Sequence, residues 1–349
     1  MPEERDEPAL IAERRAKLER LRERGAEPFP PDFPGREPID RVRTAHEGLA
    51  DGEETEDHHR VAGRVTARRG HGKAAFVDIR DGSGRIQLHS RADVLGDDHE
   101  NLLAEVDLGD FIGVDGVAFR SRRGELTLRV DSWTPLAKSL RPLPDKHAGL
   151  SDVETRLRHR ELDLLANPEV LERFRTRGRT IAEIRAWLDS HDFVEVETPV
   201  LQPLYGGALA RPFTTHHNAL DRDLYLRIAT ELYLKRCVVG GIDRVYELGK
   251  DFRNEGISPK HNPEFTMLEW YEAYADYADA ATRLEQLVSS VAERVLGTNR
   301  IERDGVVIDL APPWERVTIR DALLAKSGVD LAAEPTREEL AEAARVELS

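Results

Sequence analysis

Between Arg60 and Val130 the residue pattern falls into strand period five times, and this constrains the fold more than any other feature of the chain. Apolar and polar residues alternate in Arg60–Thr66. Short runs follow at Ala74–Arg80 and Arg85–His89, then at Asp110–Phe119 and Glu125–Val130. Asp81-Gly82-Ser83-Gly84 separates the second run from the third and has the composition of a tight hairpin turn. A turn ending at Gly124 joins the last two runs.

Five short strands in about 75 residues, with a small helix in the break after the third, fit a five-stranded OB-type barrel over 56–140. Such barrels bind oligonucleotides or oligosaccharides on one strand face, while a generic small barrel used for protein contacts is the competing reading. The 349-residue chain carries a formal charge of −15, which argues against a nonspecific nucleic-acid coat. Within Arg60–Ser90, however, seven Lys or Arg stand against two acids, a local balance of +5. A charge run is ordinarily a solvated face. On the first three strands of such a barrel it favours nucleic acid.

Upstream, residues 8–25 predict a helix, with Leu10, Ile11, Leu18 and Leu21 at near-helical spacing and Gly25 to stop it. Glu27–Gly35 is a connector, because its prolines remove donors and fix φ. The acidic stretch 51–57 reads as a loop. Residues 1–55 therefore form an N-terminal helix and connector, and Leu140–Lys146 marks a linker over 141–150. From 151 to 349 the character changes. Helices are predicted at 151–165 and 168–190, the second amphipathic through Leu171, Phe174, Ile181, Ile184 and Leu188. Strands are predicted at 193–197, 223–228, 243–253 and 263–274, with a helix at 231–239. Antiparallel strands mixed with helices give an α+β chain.

Several site classes lack support. Neither a Gly-x-Gly-x-x-Gly nor a Walker pattern is present, so a Rossmann or P-loop site is not indicated. The single cysteine, Cys237, excludes a disulfide framework and a thiolate zinc cluster, and reads as a small buried apolar residue. His58-His59 and His216-His217 lack the carboxylates and spacing of a metal site, and no metal site is expected in the chain. No window of ~18 apolar residues predicts a membrane span. The charged N-terminus lacks the apolar core of a signal peptide, so the chain reads as cytoplasmic, with no membrane partner.

Chemistry concentrates in 245–274. Two strand-like runs flank a loop of Gly, Ser, Pro and Asn, which predicts a long antiparallel hairpin. Alternation puts Phe265, Met267, Glu269 and Tyr271 on one face, and puts Arg253 with Glu255 near the end of the first strand. Core packing accounts for Phe265 and Met267. It accounts poorly for Glu269 and Arg253, because charges in runs this apolar need partners.

Phe252-Arg-Asn-Glu-Gly256 followed by His261-Asn-Pro-Glu-Phe-Thr266 resembles the second signature motif of class II aminoacyl-tRNA synthetases. Phe193-Val-Glu-Val-Glu-Thr-Pro199 resembles the end of their first motif. With Gly206-Gly-Ala208, Arg211–Asn218 and Glu231-Leu-Tyr-Leu-Lys-Arg236, the chain resembles the bacterial-type lysyl-tRNA synthetase family over essentially its whole length. The resemblance implies an OB anticodon-binding barrel followed by a class II antiparallel catalytic sheet with helices. It implies a ligase that activates lysine with ATP, with Mg²⁺ as cofactor, and transfers it to tRNA(Lys). It further implies a homodimer through the region of Pro199 and no DNA partner.

The same resemblance assigns residues. Glu231 and Glu269, with Tyr271 beside them, would hold the lysine ε-ammonium, and Gly207 would lie against the α-amino end. Arg253 would bridge the ATP α-phosphate and the lysine carboxylate, Glu255 and His261 would hold the nucleotide, and Phe265 would stack on adenine. Arg253, Glu255 and His261 form the implied catalytic set, and no general base is needed because the lysine carboxylate is itself the nucleophile. In the barrel, Phe76 would stack on an anticodon base, with Arg68, Gln87 and Glu125 as polar contacts. Ordinary alternatives stand beside these roles: Glu231 as a first-turn helix acid, His261 as a surface histidine, Phe76 as a core residue.

Two features depart from the family. The third class II motif is not found, and with the family's Mg²⁺ ligands it would belong to a part beyond Ser349. A fragment of a longer gene is the simplest expectation, with the apolar face of the catalytic sheet left open. A noncatalytic tRNA-binding fragment or paralogue is the alternative. Thr230, where the family often has proline, fits the N-cap of the helix beginning at Glu231.

Overall fold

The computed structural model describes residues 8–143, 150–330 and 336–347. Of the expected linker, 144–149 therefore lie outside the described residues. The chain divides into two compact units, meeting in sequence at Val170 and Leu171.

The first unit opens with α1 (Ala9–Glu23), which ends before Gly25 at φ 74°. Leu18 and Leu21 are buried as expected, but Leu10 is exposed. Its buried face is completed by Arg14 and Lys17. Arg14 donates to the carbonyls of Ser139, Arg141 and Leu108, and Lys17 Nζ meets Asp107 Oδ1 at 2.7 Å. A helix of low amphipathicity is thus seated by its cations rather than by an apolar stripe. The short α2 (Ile39–Ala45) buries Ile39 and Val42 in the barrel core.

The barrel strands are β1 (Glu54–His71), β2 (Ala74–Arg80), β3 (Arg85–Arg91), β4 (Phe111–Arg120) and β5 (Leu126–Ala137). Two helices, α3 (Ala92–Leu95) and α4 (Asp97–Glu105), fill the break after the third strand. The strands close in the order β1-β2-β3-β5-β4, antiparallel throughout except for the β3–β5 pair. Inward residues such as Val61, Val65, Val77, Ile79, Leu88, Val114 and Leu128 make one core. The acidic segment expected as a loop is partly strand, because Glu54 already pairs with Phe119. The helix expected at 151–165 is two, α5 (Val153–Arg158) and α6 (Arg160–Ala166), broken at His159. The break turns Arg156 and Arg160 onto the fully buried Asp163.

The long α7 (Pro168–Asp189) leads into β6 (Val194–Glu195), β7 (Leu201–Gln202), β8 (Thr214–His217) and β9 (Arg222–Leu226). Then come α8 (Glu231–Val239), β10 (Arg244–Phe252), β11 (Glu264–Glu272) and α9 (Tyr277–Leu296). A hairpin of β12 (Arg300–Arg303) and β13 (Val306–Asp309), then α10 (Ile319–Ser327) and α11 (Arg337–Glu347), follow. The central sheet is ordered β11-β10-β6; β10 and β11 are antiparallel and β6 joins in parallel. A second sheet runs β7-β9-β8. Leu188 and Phe193 pack with Tyr246, Leu268 and Trp270 on one side of the hairpin, so the alternate residues of β10 and β11 face the other way. Between α7, β11 and α9 lies an apolar groove of about 390 Å³, lined by Ile184, Leu268, Leu287 and Val291 among others.

Candidate functional site

The hairpin register fixes what shares the second face. Val245 pairs with Tyr271, Glu247 with Glu269, Gly249 with Met267 and Asp251 with Phe265. Strand alternation then lines one surface with Tyr271, Glu269, Met267 and Phe265 from β11 and with Glu247, Gly249 and Asp251 from β10. The four β11 residues grouped from the sequence do share this surface.

At one end the acids gather. Glu269 Oε2 accepts from the N–H of Thr230 at 3.2 Å and from its hydroxyl at 2.7 Å, and Glu269 Oε1 accepts from Tyr271 Oη at 3.0 Å. Thr230 makes no side-chain cap for α8; its hydroxyl is spent on Glu269 instead. Burial, and then the bonded Glu269 carboxylate, push the Tyr271 phenol above its ordinary value, so it stays a neutral donor. Glu231 opens α8 and meets Lys235 Nζ at 2.5 Å, while that ammonium lies 5.8 Å from the Tyr271 ring. Gly207, at φ 87°, comes so close that a β-carbon there would sit 2.9 Å from Glu231 Cβ. Gly207, Glu231, Glu269 and Tyr271 are thus brought to one place.

At the other end is a cavity of about 260 Å³ lined by Arg253, Glu255, Lys260, His261 and Phe265 among others. The Arg253 guanidinium carbon lies 5.1 Å from the Phe265 ring centroid, and its Nε is buried and donates no hydrogen bond. A buried, unspent donor beside an aromatic face is suited to an anion with a planar group attached. The Arg253 N–H donates to Pro263 O at 2.8 Å, which closes the end of the hairpin. His261 is held in a tight turn, its Nδ1 2.8 Å from Ser258 Oγ. Glu255 lies exposed in the loop that follows β10.

Between the two ends lies a residue that sequence reasoning missed. Arg227 is 2% exposed. It donates to Lys250 O at 2.9 Å, to Thr198 O and Oγ1 at 3.1 Å, and to Glu247 Oε1 at 2.5 Å. Thr198 returns its N–H and hydroxyl to Glu247 at 3.2 and 2.6 Å. Gly249 makes room, since a β-carbon there would fall 2.3 Å from Arg227 Nη2. A glycine between two acids within a strand marks such a close approach and is the signal that could have found Arg227. This knot ties β10 to the segment before Pro199, the residue expected at a dimer interface.

On the barrel, Phe76 stacks on His89 with centroids 4.6 Å apart, and Phe119 lies 5.9 Å from His89. Arg69 pairs across from Phe76 and ion-pairs with the buried Asp78, which also meets Arg85. Arg85 in turn bonds Glu125 at 3.0 Å, and Gln87 accepts from Thr127 at 3.2 Å. Phe76, Gln87 and Glu125 thus belong to one polar and aromatic surface. Arg68 does not. It pairs across from core residue Val77 and donates to the carbonyls of Leu103 and Val106 at 2.6 and 2.8 Å.

Other expectations are corrected. Cys237 is only half-buried. His59 does meet a carboxylate, Glu37, at 2.7 Å and is also 2.7 Å from His46, and His216 meets Asp223 at 2.9 Å. Among the described residues no three His, Cys, Asp or Glu side chains cluster as metal ligands. Nor is any described helix long and apolar enough to cross a membrane.

Comparison with known proteins places both parts of the chain in families. Residues 152–344 match the family described as tRNA synthetases class II (D, K and N), and residues 59–136 match the OB-fold nucleic acid binding domain. A lysine–tRNA ligase from Pelotomaculum thermopropionicum is 51% identical over 96% of this chain and 65% of its own length. Counterparts from a Synechococcus strain and from Carboxydothermus hydrogenoformans are both 52% identical, over 94% and 93% of this chain and 67% and 65% of their own. The chain therefore spans about two thirds of the length of these relatives. It belongs to the class II tRNA synthetases of the Asp, Lys and Asn group, with an OB-fold nucleic-acid-binding domain ahead of the synthetase domain.

Proposed function

We propose that the chain carries the lysine- and ATP-binding face of a lysine–tRNA ligase, with the barrel as its tRNA(Lys) anticodon reader. One observation carries the reading. One hairpin surface has Glu269 and the neutral phenol of Tyr271 at one end, with Glu231 of α8 beside them, and a guanidinium with a free Nε near an aromatic ring at the other, Arg253 and Phe265. Lysine has the matching polarity, with its ε-ammonium for the first end and its carboxylate for the second. An aspartate substrate would put its second carboxylate against Glu269.

In this reading Glu269 takes the ε-ammonium, oriented by Thr230 and Tyr271 so that its remaining lone pairs face the pocket. Gly207 leaves space at the α-amino end beside Glu231. Arg253 holds the lysine carboxylate against the α-phosphate and neutralises charge as the carboxylate attacks in line and pyrophosphate leaves. His261 and Glu255 hold the nucleotide, with adenine on Phe265. The catalytic contribution is orientation and charge, and no side chain has to move a proton. Magnesium accompanies ATP through its phosphates. The described residues offer no three-ligand cage for it. Homodimer assembly around Pro199 and a cytoplasmic location belong to the same proposal.

On the barrel, Phe76 offers a stacking platform for an unpaired base, and Gln87, Glu125 and Arg69 supply edge and phosphate contacts. A second reading is a tRNA-binding part without adenylation, resting on the OB-fold match and the stacked Phe76–His89 surface of the barrel. Lysine-dependent exchange of pyrophosphate into ATP, with Glu269→Ala as control, separates the two. Exchange lost in the variant supports adenylation by this chain, whereas lysine and tRNA binding without exchange supports the second reading.

A further inference from the structure

The acid end of the hairpin face already carries a cation of its own. Leu234 is fully buried and seats α8 against β10 and β11. Residues four apart share a helix face, so Glu231 and Lys235 are turned to one side. That side is the pocket's. Lys235 Nζ meets Glu231 Oε1 at 2.5 Å and lies 5.8 Å from the Tyr271 ring, whose hydroxyl bonds Glu269. A plain surface pair on a helix would face water alone, whereas this ammonium reaches two of the residues assigned to the amino acid.

The two acids are held differently. Glu269 accepts from the N–H and hydroxyl of Thr230 and from Tyr271 Oη. Glu231 has Lys235 on Oε1, and its Oε2 is turned towards Gly207, 3.4 Å from where a β-carbon of that glycine would stand. An ammonium group entering the space beside Gly207 therefore reaches Oε2 while Lys235 holds Oε1. Two ammonium groups on one carboxylate repel each other at close range. Lys235 is the one free to leave. Its side chain is 55% exposed, it sits on a flexible four-carbon stem, and among the described residues its only ion pair is with Glu231.

We propose that Lys235 is a resident counter-ion of the lysine pocket, its ammonium occupying Glu231 in the empty site and giving way to the α-ammonium of the incoming amino acid. No covalent bond changes. One ion pair opens to water and another forms on the same carboxylate. The sign of the effect is distinctive: a side chain that shaped the pocket or held the ligand would weaken binding when removed, whereas removal of Lys235 strengthens it. Opening an exposed helical pair of this kind weakens the ligand by about two- to fivefold.

The inference rests on the lysine reading of the site, and equilibrium dialysis of radiolabelled lysine against the 349-residue chain separates the two. Lys235→Met keeps the stem and removes the charge. The expected result is lysine affinity about two- to fivefold tighter than wild type at ~50 mM salt, a gain that shrinks at ~500 mM. Lys235→Arg retains the cation and should stay close to wild type. Arg236→Met removes a charge from the same helix, but one that lies over the Tyr233 ring, and should bring no such gain. Urea midpoints establish that each variant is folded, with Lys235→Gln in place of the methionine variant should that one fail. Lysine affinity unchanged or weakened in folded Lys235→Met overturns the inference and leaves the lysine site standing. An equal gain in Arg236→Met overturns it too, and assigns the effect to net charge. Absence of saturable lysine binding in the wild type and in every variant overturns the site and the inference together.

Discussion

Replacing Gly249 by alanine adds one methyl group at the tightest point beneath the candidate site. Gly249 lies in β10 without positive φ, so alanine brings no backbone strain there. The effect must come from contact. The new carbon would sit 2.3 Å from Arg227 Nη2, where about 3.5 Å is needed, so the guanidinium must move by about 1 Å. It has nowhere to go, being 2% exposed and held by Lys250 O, Thr198 and Glu247. Overpacking of this kind costs about 1–3 kcal/mol, and loosening a buried ion pair raises that towards ~3–5 kcal/mol. The entropy that alanine removes from the unfolded chain offsets less than ~1 kcal/mol. A net loss of about 2–4 kcal/mol is expected in urea unfolding followed by tryptophan fluorescence. Gly178→Ala on α7, with no atom within 4 Å of the added carbon, should instead gain up to about 1 kcal/mol. A Gly249→Ala midpoint indistinguishable from wild type would refute the account of Arg227 as a rigid cross-tie.

Other outcomes follow from the same geometry. Gly207→Ala meets both a positive φ and Glu231 Cβ at 2.9 Å, so equilibrium dialysis should record at least a tenfold loss of lysine affinity with the barrel's tRNA affinity unchanged. Arg69→Ala should weaken tRNA binding and lower the slope of log affinity against log salt by about 1. Arg68→Ala should cost about 1–2 kcal/mol of barrel stability through two lost bonds to carbonyls, read from the urea midpoint, and leave that salt slope in place. Because burial raises the Asp251 carboxyl from 3.8 to about 6 on folding, the native state binds the extra proton in that window. Stability should therefore fall as pH rises from about 4 to 6, by roughly 2 kcal/mol, and Asp251→Asn should flatten that slope in urea midpoints measured across the window.

How far the sequence could be read depended on whether local pattern or distant contact decides a residue's place. The barrel was legible because the Asp81–Gly84 turn and strand alternation fix strands almost residue by residue, and Arg85–Gly84–Asp81 closes as a hairpin. Glu269 and Arg253 stood out because they are charges in apolar runs. Arg68, assigned through the resemblance, lies away from the Phe76 surface. Alternation from Val61 and Val65 would put it outward, but a bulge between Val65 and Ala67 inserts one residue and exchanges the faces, so Arg69 stands opposite Phe76 instead. Arg227 had no signature in its own stretch of sequence, since its partners lie at Thr198, Glu247 and Asp251 and only Gly249 on β10 marks its approach. The same holds for Thr230, whose hydroxyl serves Glu269 across 39 positions rather than its own helix.

The central claim is that the Glu269 end of the hairpin face holds a lysine ammonium. Equilibrium dialysis of radiolabelled lysine against the 349-residue chain, with unlabelled lysine or aspartate as competitor and Glu269→Gln as the variant, addresses it directly. The account predicts saturable binding that excess lysine displaces, that equal aspartate leaves untouched, and that the variant loses by at least tenfold. No saturable binding, or competition by aspartate as effective as by lysine, would contradict it.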